Sequence, residues 1–366
     1  MVYMQPSHQS STSIKALQRI LVIRRDNIGD LICTLPLIHN LRLNYPHAQI
    51  DLLVNSYNQQ TVEQQPDIDI VYAYTKAKHR AKGQSKLQVY WQRFLLILKL
   101  RRKQYDVVIL AGSRFSRHAL KLAISVKAAS ILGVTTESKS CRAINYALPE
   151  LYDDSLHEAE HCLRLLSLLG IQADNTAPAI LCANSQLMQQ QQQKLLQQPH
   201  YQDKNTLTIG IHISARKPSQ RWSEAAFIEL MQHLHQAYTC QFLLFWSPGD
   251  ESNTQHPGDN QKAQRILDGL SNANIAVFPV KTLQLRELIA GIDLCDQFIC
   301  SDGGAMHIAA GLAKPIVCLF GESNAQQWHP WCVPHQLLQT ESQQVVDISP
   351  TQVFNAFRLL QNGISE

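Results

Sequence analysis

The chain has 366 residues, enough for two domains at roughly 150 residues each. Apolar residues make up 45 % and charged ones 17 %, which excludes a disordered chain, and no apolar run approaches the roughly 18 residues that a membrane-spanning helix needs. The net charge is only +4, yet ten of the 33 Lys and Arg residues fall between Lys76 and Lys103 with no acid among them, leaving 23 basic against 29 acidic residues elsewhere.

The first fifteen residues are polar and lack the apolar core of a secretion signal. Nine cysteines without a CxxC pair point to a reducing, cytoplasmic setting. Ile20–Ile23 then predicts a buried strand that runs into a polar turn with Gly29. Leu31, Leu35, Ile38 and Leu41 follow at helical spacing, with Pro36 disturbing the helix. Asp26 and Asp30 stand at this strand-to-helix turn, where Asp30 is either a helix cap or a general base. Further strands are predicted at Ile50–Val54, Ile70–Ala73 and Val107–Ala111, and Trp91–Leu100 reads as a strongly apolar helix. Asp67-Ile68-Asp69 spells a DxD but reads as a solvated strand entry. His157, Glu158, Glu160 and His161 (HEAEH) mimic a metal face and read as chance, away from any cleft. A polar stretch and the run Gln189–Gln193 put the domain boundary between Gly170 and Asn205.

The second half repeats the alternation, with strands at Leu207–Ile213, Gln241–Trp246, Ala276–Pro279, Phe298–Cys300 and Ile316–Phe320. Cys295 and Cys300 are simply buried here. The first strand leads to Arg216, Lys217 and Arg221 before a Ser223-capped helix, and cations at a strand's C-terminal edge suit phosphate. Phe298–Cys300 leads to Ser301-Asp302-Gly303-Gly304 and a small-residue helix, a turn that lets backbone amides approach a diphosphate. Gly321–Ser323 opens at the same edge. No GxGxxG is present, which disfavours a nicotinamide oxidoreductase. Ser349-Pro350 starts a closing helix with Val353, Phe354, Phe357 and Leu360 as its apolar stripe. The predicted class is α/β, two Rossmann-like domains facing a central cleft, divided as 1–182, 183–348 and a closing helix at 349–366.

The strings RRDNIGDLICTLPLI and SDGGAMHIAAGLAKPIVCLFG, the Gln220-Arg221-Trp222 loop and the W-S-P-G-D turn at Trp246–Asp250 together resemble glycosyltransferase family 9, the ADP-heptose:lipopolysaccharide heptosyltransferases. The resemblance implies a GT-B fold and an inverting transfer that needs no metal or other cofactor. The donor, ADP-heptose or a related nucleotide-sugar, would sit on the C-terminal domain, and an anionic lipid A-core acceptor on the N-terminal one. It implies Asp30 as the base and Asp302, Gly303, Gly304, Ala305, Met306 and His307 around the diphosphate. Glu251, after the strand-end Trp246, falls at the ribose. Many members carry a lysine where this chain has Gln220, so Lys217 or Arg221 must supply that charge. Lys76, Lys78, Arg80, Lys82 and Lys86 fall where the acceptor and the inner-leaflet membrane surface would be met, which makes the protein peripheral to the cytoplasmic face of the membrane. No nucleic-acid motif accompanies the basic run. The alternative is a nucleotide-sugar-binding or scaffold protein on the same fold that has lost transfer.

Overall fold

Runs such as Arg19–Ile23 (RILVI) are apolar on both faces, and such strands are stable only inside a parallel sheet covered on both sides. The computed structural model describes residues 17–76, 85–136, 142–151, 155–202, 206–252 and 258–365. In the N-terminal half the strands are β1 (Arg19–Ile23), β2 (Gln49–Asn55), β3 (Ile70–Tyr74), β4 (Val107–Leu110), β5 (Ser130–Thr135) and β6 (Tyr146–Pro149). The helices there are α1 (Ile28–Ile32), α2 (Leu35–Asn44), α3 (Lys86–Arg102), α4 (Arg117–Val126) and α5 (Glu158–Leu163), and α6 (Ser185–Leu196) follows the crossing segment. The C-terminal half contains β7 (Leu207–His212), α7 (Glu224–Ala237), β8 (Cys240–Phe245), α8 (Asn260–Leu270), β9 (Val277–Pro279) and α9 (Leu285–Asp293). It continues through β10 (Gln297–Ser301), α10 (Gly304–Gly311), β11 (Ile316–Phe320), α11 (Ala325–Trp328), β12 (His335–Gln339) and α12 (Pro350–Ser365).

The two sheets are all-parallel and share one topology: β3-β2-β1-β4-β5-β6 in the first and β9-β8-β7-β10-β11-β12 in the second. In each, the chain reverses direction of travel between the first and fourth strands, the place where open α/β sheets bind ligands. Three strands, β5, β6 and β12, are not foreseen by the sequence pattern. The outermost two, β6 (YALP) and β12 (HQLLQ), are only half-buried and lack a continuous apolar run.

The helix predicted through Pro36 is two helices. α1 ends at Ile32, and α2 starts at Leu35 with Pro36 in its first turn, where a missing N–H leaves no bond unmade. Ser223 caps α7 as expected, accepting from the Ala226 N–H at 3.1 Å. α12 docks on α7 and β12, burying Val353, Ala356, Phe357 and Leu360, so the closing helix completes the C-terminal half. The outer face of each sheet has its own apolar cluster, but the inner faces share one. Leu31, Ile32, Leu163 and Leu166 join Ala179, Leu181 and Leu195 of the crossing segment and Phe298, Met306 and Ile308 of the second half in a continuous core.

Candidate active site

β1 delivers a charged residue to its own C-terminal edge. Arg24 follows Ile23 directly and is buried, 2 % exposed. Its Nη2 donates to Asp30 Oδ1 at 2.7 Å and to Glu158 Oε1 at 2.8 Å, and its Nε faces Asp26 Oδ2 at 3.4 Å. Burial works against the guanidinium's charge, but Glu158 and then Asp30 outweigh it and push its pKa up. Asp30 is the third residue of α1 and not its cap: Asn27 holds the cap position, and its N–H donates to Asp30 Oδ2 at 3.0 Å. The Asp30 carboxylate keeps 17 % of its surface open and lines a cavity of about 490 Å³. The cavity walls include Arg24, Arg25, Gly112–Ser116 and Glu158 from the N-terminal half, and Gln327 and Trp328 from α11 close it from the other half.

The HEAEH string belongs to this site, contrary to its reading as a remote coincidence. Glu158 is 1 % exposed and is Arg24's second partner. His157 caps α5, its Nδ1 accepting from Ala159 N–H while Nε2 meets the His329 carbonyl at 2.9 Å, so both ring nitrogens are engaged. Its ring stacks on Trp331, and burial pushes its pKa down to about 3. Asp67 and Asp69 are held by His39 (2.9 Å) and Arg42 (2.7 Å).

Across the cleft, β10 ends in Ser301 and the chain turns at Asp302-Gly303 into α10. A Cβ on Gly303 would point into open space, so no neighbouring side chain crowds the turn at that point. The first N–H groups of α10, on Gly304, Ala305 and Met306, have no intrahelical acceptor and lie at the positive end of the helix dipole. Gln220 is buried beside this turn and donates to Asp302 Oδ2 at 2.5 Å and Ser323 Oγ at 2.9 Å. Lys217 Nζ reaches the same Ser323 Oγ at 3.3 Å. Gly321 lets the loops after β7 and β11 meet, since a Cβ there would lie 2.5 Å from the Ser219 carbonyl oxygen.

Other expected residues lie elsewhere. Arg221 donates through Nε to the Ala215 carbonyl and lines a second cavity, about 510 Å³, with Glu224, Glu251, Lys262 and Arg265. Glu251 sits there in an ion pair with Arg265 at 2.7 Å. Trp246 is buried in the outer core of the second sheet, its indole N–H donated to Asn260, so it props the loop from below. The His307 side chain is buried, its pKa lowered chiefly by burial, with Asp302 and Asp30 acting against the shift. Its ring seats on Gly29 of the other half, where an added Cβ would meet His307 Cδ2 at 2.4 Å, and its edge contacts Trp328. Ile28 and Gly304 complete this joint, so α1 and α10 abut through their first turns.

Of the basic segment, Lys78, Arg80 and Lys82 lie outside the described residues. Lys76 Nζ donates to the Arg25 carbonyl at 2.7 Å, and Lys86 opens α3. That helix is only partly a core helix. Val89, Ile97 and Leu100 are buried, whereas Leu87, Tyr90, Trp91, Phe94 and Leu95 form an exposed stripe. Among the described residues no helix is long and apolar enough to cross a membrane. Sequence reasoning overlooks Arg24, Gln327 and Trp328 and reads Glu158 as part of a chance match. Arg24 left a signal, a cation ending an apolar strand, whereas the other three are joined to the site only by tertiary packing.

Residues 93–355 match the family model of glycosyltransferase family 9 (heptosyltransferase). Lipopolysaccharide heptosyltransferase 3 of Escherichia coli K12 is 26 % identical over 307 residues, covering 83 % of this chain and 82 % of the relative. Lipopolysaccharide heptosyltransferase 2 of Salmonella typhimurium is 22 % identical over 323 residues, covering 84 % and 83 %. Among solved structures, a family 9 glycosyl transferase from Veillonella parvula superposes with a TM-score of 0.77 at 20 % identity, covering 94 % of this chain and 97 % of that one. The E. coli heptosyltransferase WaaC with ADP gives 0.74 at 16 % identity, covering 94 % and 100 %, so the fold is shared.

Proposed function

We propose a specific reaction for this chain, which belongs to glycosyltransferase family 9: an inverting, metal-independent transfer of heptose from ADP-heptose to a lipopolysaccharide core acceptor. The carrying observation is that the Asp30 carboxylate opens into a cavity whose wall is completed by the other half, while α1 abuts the amide-lined first turn of α10. In this reading residues 1–182 hold the acceptor, 183–348 hold the nucleotide-sugar and 349–366 close the second half. The acceptor hydroxyl attacks the anomeric carbon as the bond to the β-phosphate breaks, and Asp30 takes the hydroxyl proton. The negative charge that builds on the departing ADP is met by the Gly304–Met306 amides and by Lys217. One displacement inverts the centre, so no covalent enzyme intermediate forms.

Lys217 is favoured over Arg221 as the diphosphate cation because it joins the Ser323–Gln220–Asp302 group, while Arg221 faces the second cavity with Glu251. Gln220 itself is neutral, and it is the observation that favours the second reading, a donor-binding protein without transfer. Titration with ADP-heptose and an ADP-release assay on purified lipid A-core separate the two. Acceptor-dependent ADP release supports the enzyme; tight donor binding without release, across core acceptors of different length, assigns the binding protein. Release abolished by EDTA and restored by a divalent cation would overturn metal independence.

The protein would work at the cytoplasmic face of the inner membrane. α3 supports this with its exposed Leu87, Tyr90, Trp91, Phe94 and Leu95 beside Lys86, Arg101, Arg102 and Lys103, a pairing that suits an anionic lipid surface. Flotation with phosphatidylglycerol vesicles but not with neutral ones is the expected result, and equal flotation with both would count against it.

A further inference from the structure

We infer that Arg24 and Glu158 are a positioning pair for Asp30, with Glu158 present to keep Arg24 from claiming the whole of the Asp30 carboxylate. The inference rests on reading Asp30 as the base. An arginine alone beside a carboxylate tends to bind it through two parallel N–H···O bonds, which ties up both oxygens. Here Nη2 is split, 2.7 Å to Asp30 Oδ1 and 2.8 Å to Glu158 Oε1, so Asp30 receives one guanidinium contact. Its other oxygen accepts from the Asn27 N–H at 3.0 Å. Both contacts fix the carboxylate plane at the cavity wall and leave lone pairs for an incoming hydroxyl.

Packing alone does not account for Glu158. It is a carboxylate at 1 % exposure on a helix that otherwise contributes Ala159, Cys162 and Leu163 to the core, and apolar residues of similar volume hold such places at no electrostatic penalty. Its oxygens do more than satisfy Arg24. Oε1 also accepts from the Ser113 N–H at 3.4 Å, and Oε2 from Gln327 Nε2 at 3.4 Å. One buried acid thus ties the base's partner to the loop after β4 and to α11 of the opposite half. Among the described residues, Arg24, Cys33, Glu158 and Cys162 surround Asp30 on its buried side and His307 approaches from α10, while Asp26 lies on Arg24 and the cations Arg25 and Arg114 line the same cavity.

The test is the pH dependence of kcat for ADP release at saturating donor in E158Q and R24Q. In E158Q the guanidinium is left to Asp30: kcat at neutral pH falls about tenfold, and the acid limb moves down by about one pH unit. In R24Q the carboxylates lose their cation and the acid limb moves up by about the same amount, with the donor KM unchanged in both. E158D, which keeps the charge, restores most of kcat and the wild-type limb. Should R24Q not fold, R24K carries its arm, since one ammonium cannot hold both carboxylates in this geometry and the limb rises by less. Lowered kcat with the acid limb in its wild-type place in both charge-removing variants, while D30N is inactive, overturns the pair and leaves the base standing. A D30N enzyme that transfers at the wild-type rate overturns the base and the pair with it.

Discussion

The two halves of this molecule are built on one strand order, yet the edges that face each other handle charge in opposite ways. At the edge of the first sheet, Arg24, Asp30 and Glu158 form a group of full side-chain charges with most of its atoms out of water. At the edge of the second, the turn at Asp302–Gly304 offers backbone N–H groups, and its one carboxylate is held by the neutral amide of Gln220. A proton-accepting group needs its own charge kept and aimed, which side-chain partners do. A surface that receives a charged leaving group needs donors fixed before the charge arrives, which a helix N-terminus provides. In the proposed reading one strand order would serve both tasks through the side chains set around the strand ends and, for Glu158, on α5.

The contrast breaks most visibly at Asp30. Replacing it with Asn removes the proposed proton acceptor but keeps its shape, so the expected outcome is a fall in ADP release of about 10³ with ADP-heptose binding by calorimetry unchanged; a fall in donor affinity instead would move Asp30 to the second half's task. Next in size is the joint that holds the two edges in register. Gly29→Ala places a Cβ against the His307 ring and destabilises the fold by about 1–3 kcal/mol in urea unfolding, and a second change, His307→Ala, recovers part of that loss. On the donor side, Lys217→Ala raises the ADP-heptose Kd roughly tenfold, the order expected for one charge-assisted contact, whereas Arg221→Ala changes it less than about twofold. The reverse ranking would put the diphosphate toward the second cavity.

The effect that is smallest at neutral pH concerns protonation. His157 is held near pKa 3 by burial against an ordinary value of 6.5, so the folded state binds fewer protons than the unfolded one. The stability this gives is complete above about pH 6.5 and is lost as pH falls toward 3. His212, held near 4, and His307 and His335, also lowered, add to the same slope. His157→Asn, which can still cap α5, flattens the decline in melting temperature between those limits without abolishing it.

The strands and turns nearest the cleft were legible because their sequence carries two signals at once, an apolar run of strand length and a polar or glycine-rich turn directly after it. The positions of Asp30 and the Asp302–Gly304 turn at strand ends are legible in that way; their roles are not. Pro36 gave a correct warning of a break, because first-turn proline chemistry depends on local sequence alone. Glu158 could not be placed, since nothing in HEAEH says that Arg24, 134 residues away, lies beside it. His307 and Gly29 both stand in the motif strings, but their direct contact across the halves is a property of the packed pair. Trp246 was legible as a strand end, yet whether its ring faced the cleft or the core depended on α8.

The shared inner core has a thermodynamic consequence. Met306 and Ile308 of one half pack in the same cluster as Leu31 and Leu163 of the other, with the crossing segment between them, so parting the sheets would expose that layer on both. Heating has to break that common layer before either sheet can separate. A calorimetric scan should therefore show one endotherm, with van't Hoff and calorimetric enthalpies equal, for a chain whose two sheets would otherwise suggest two.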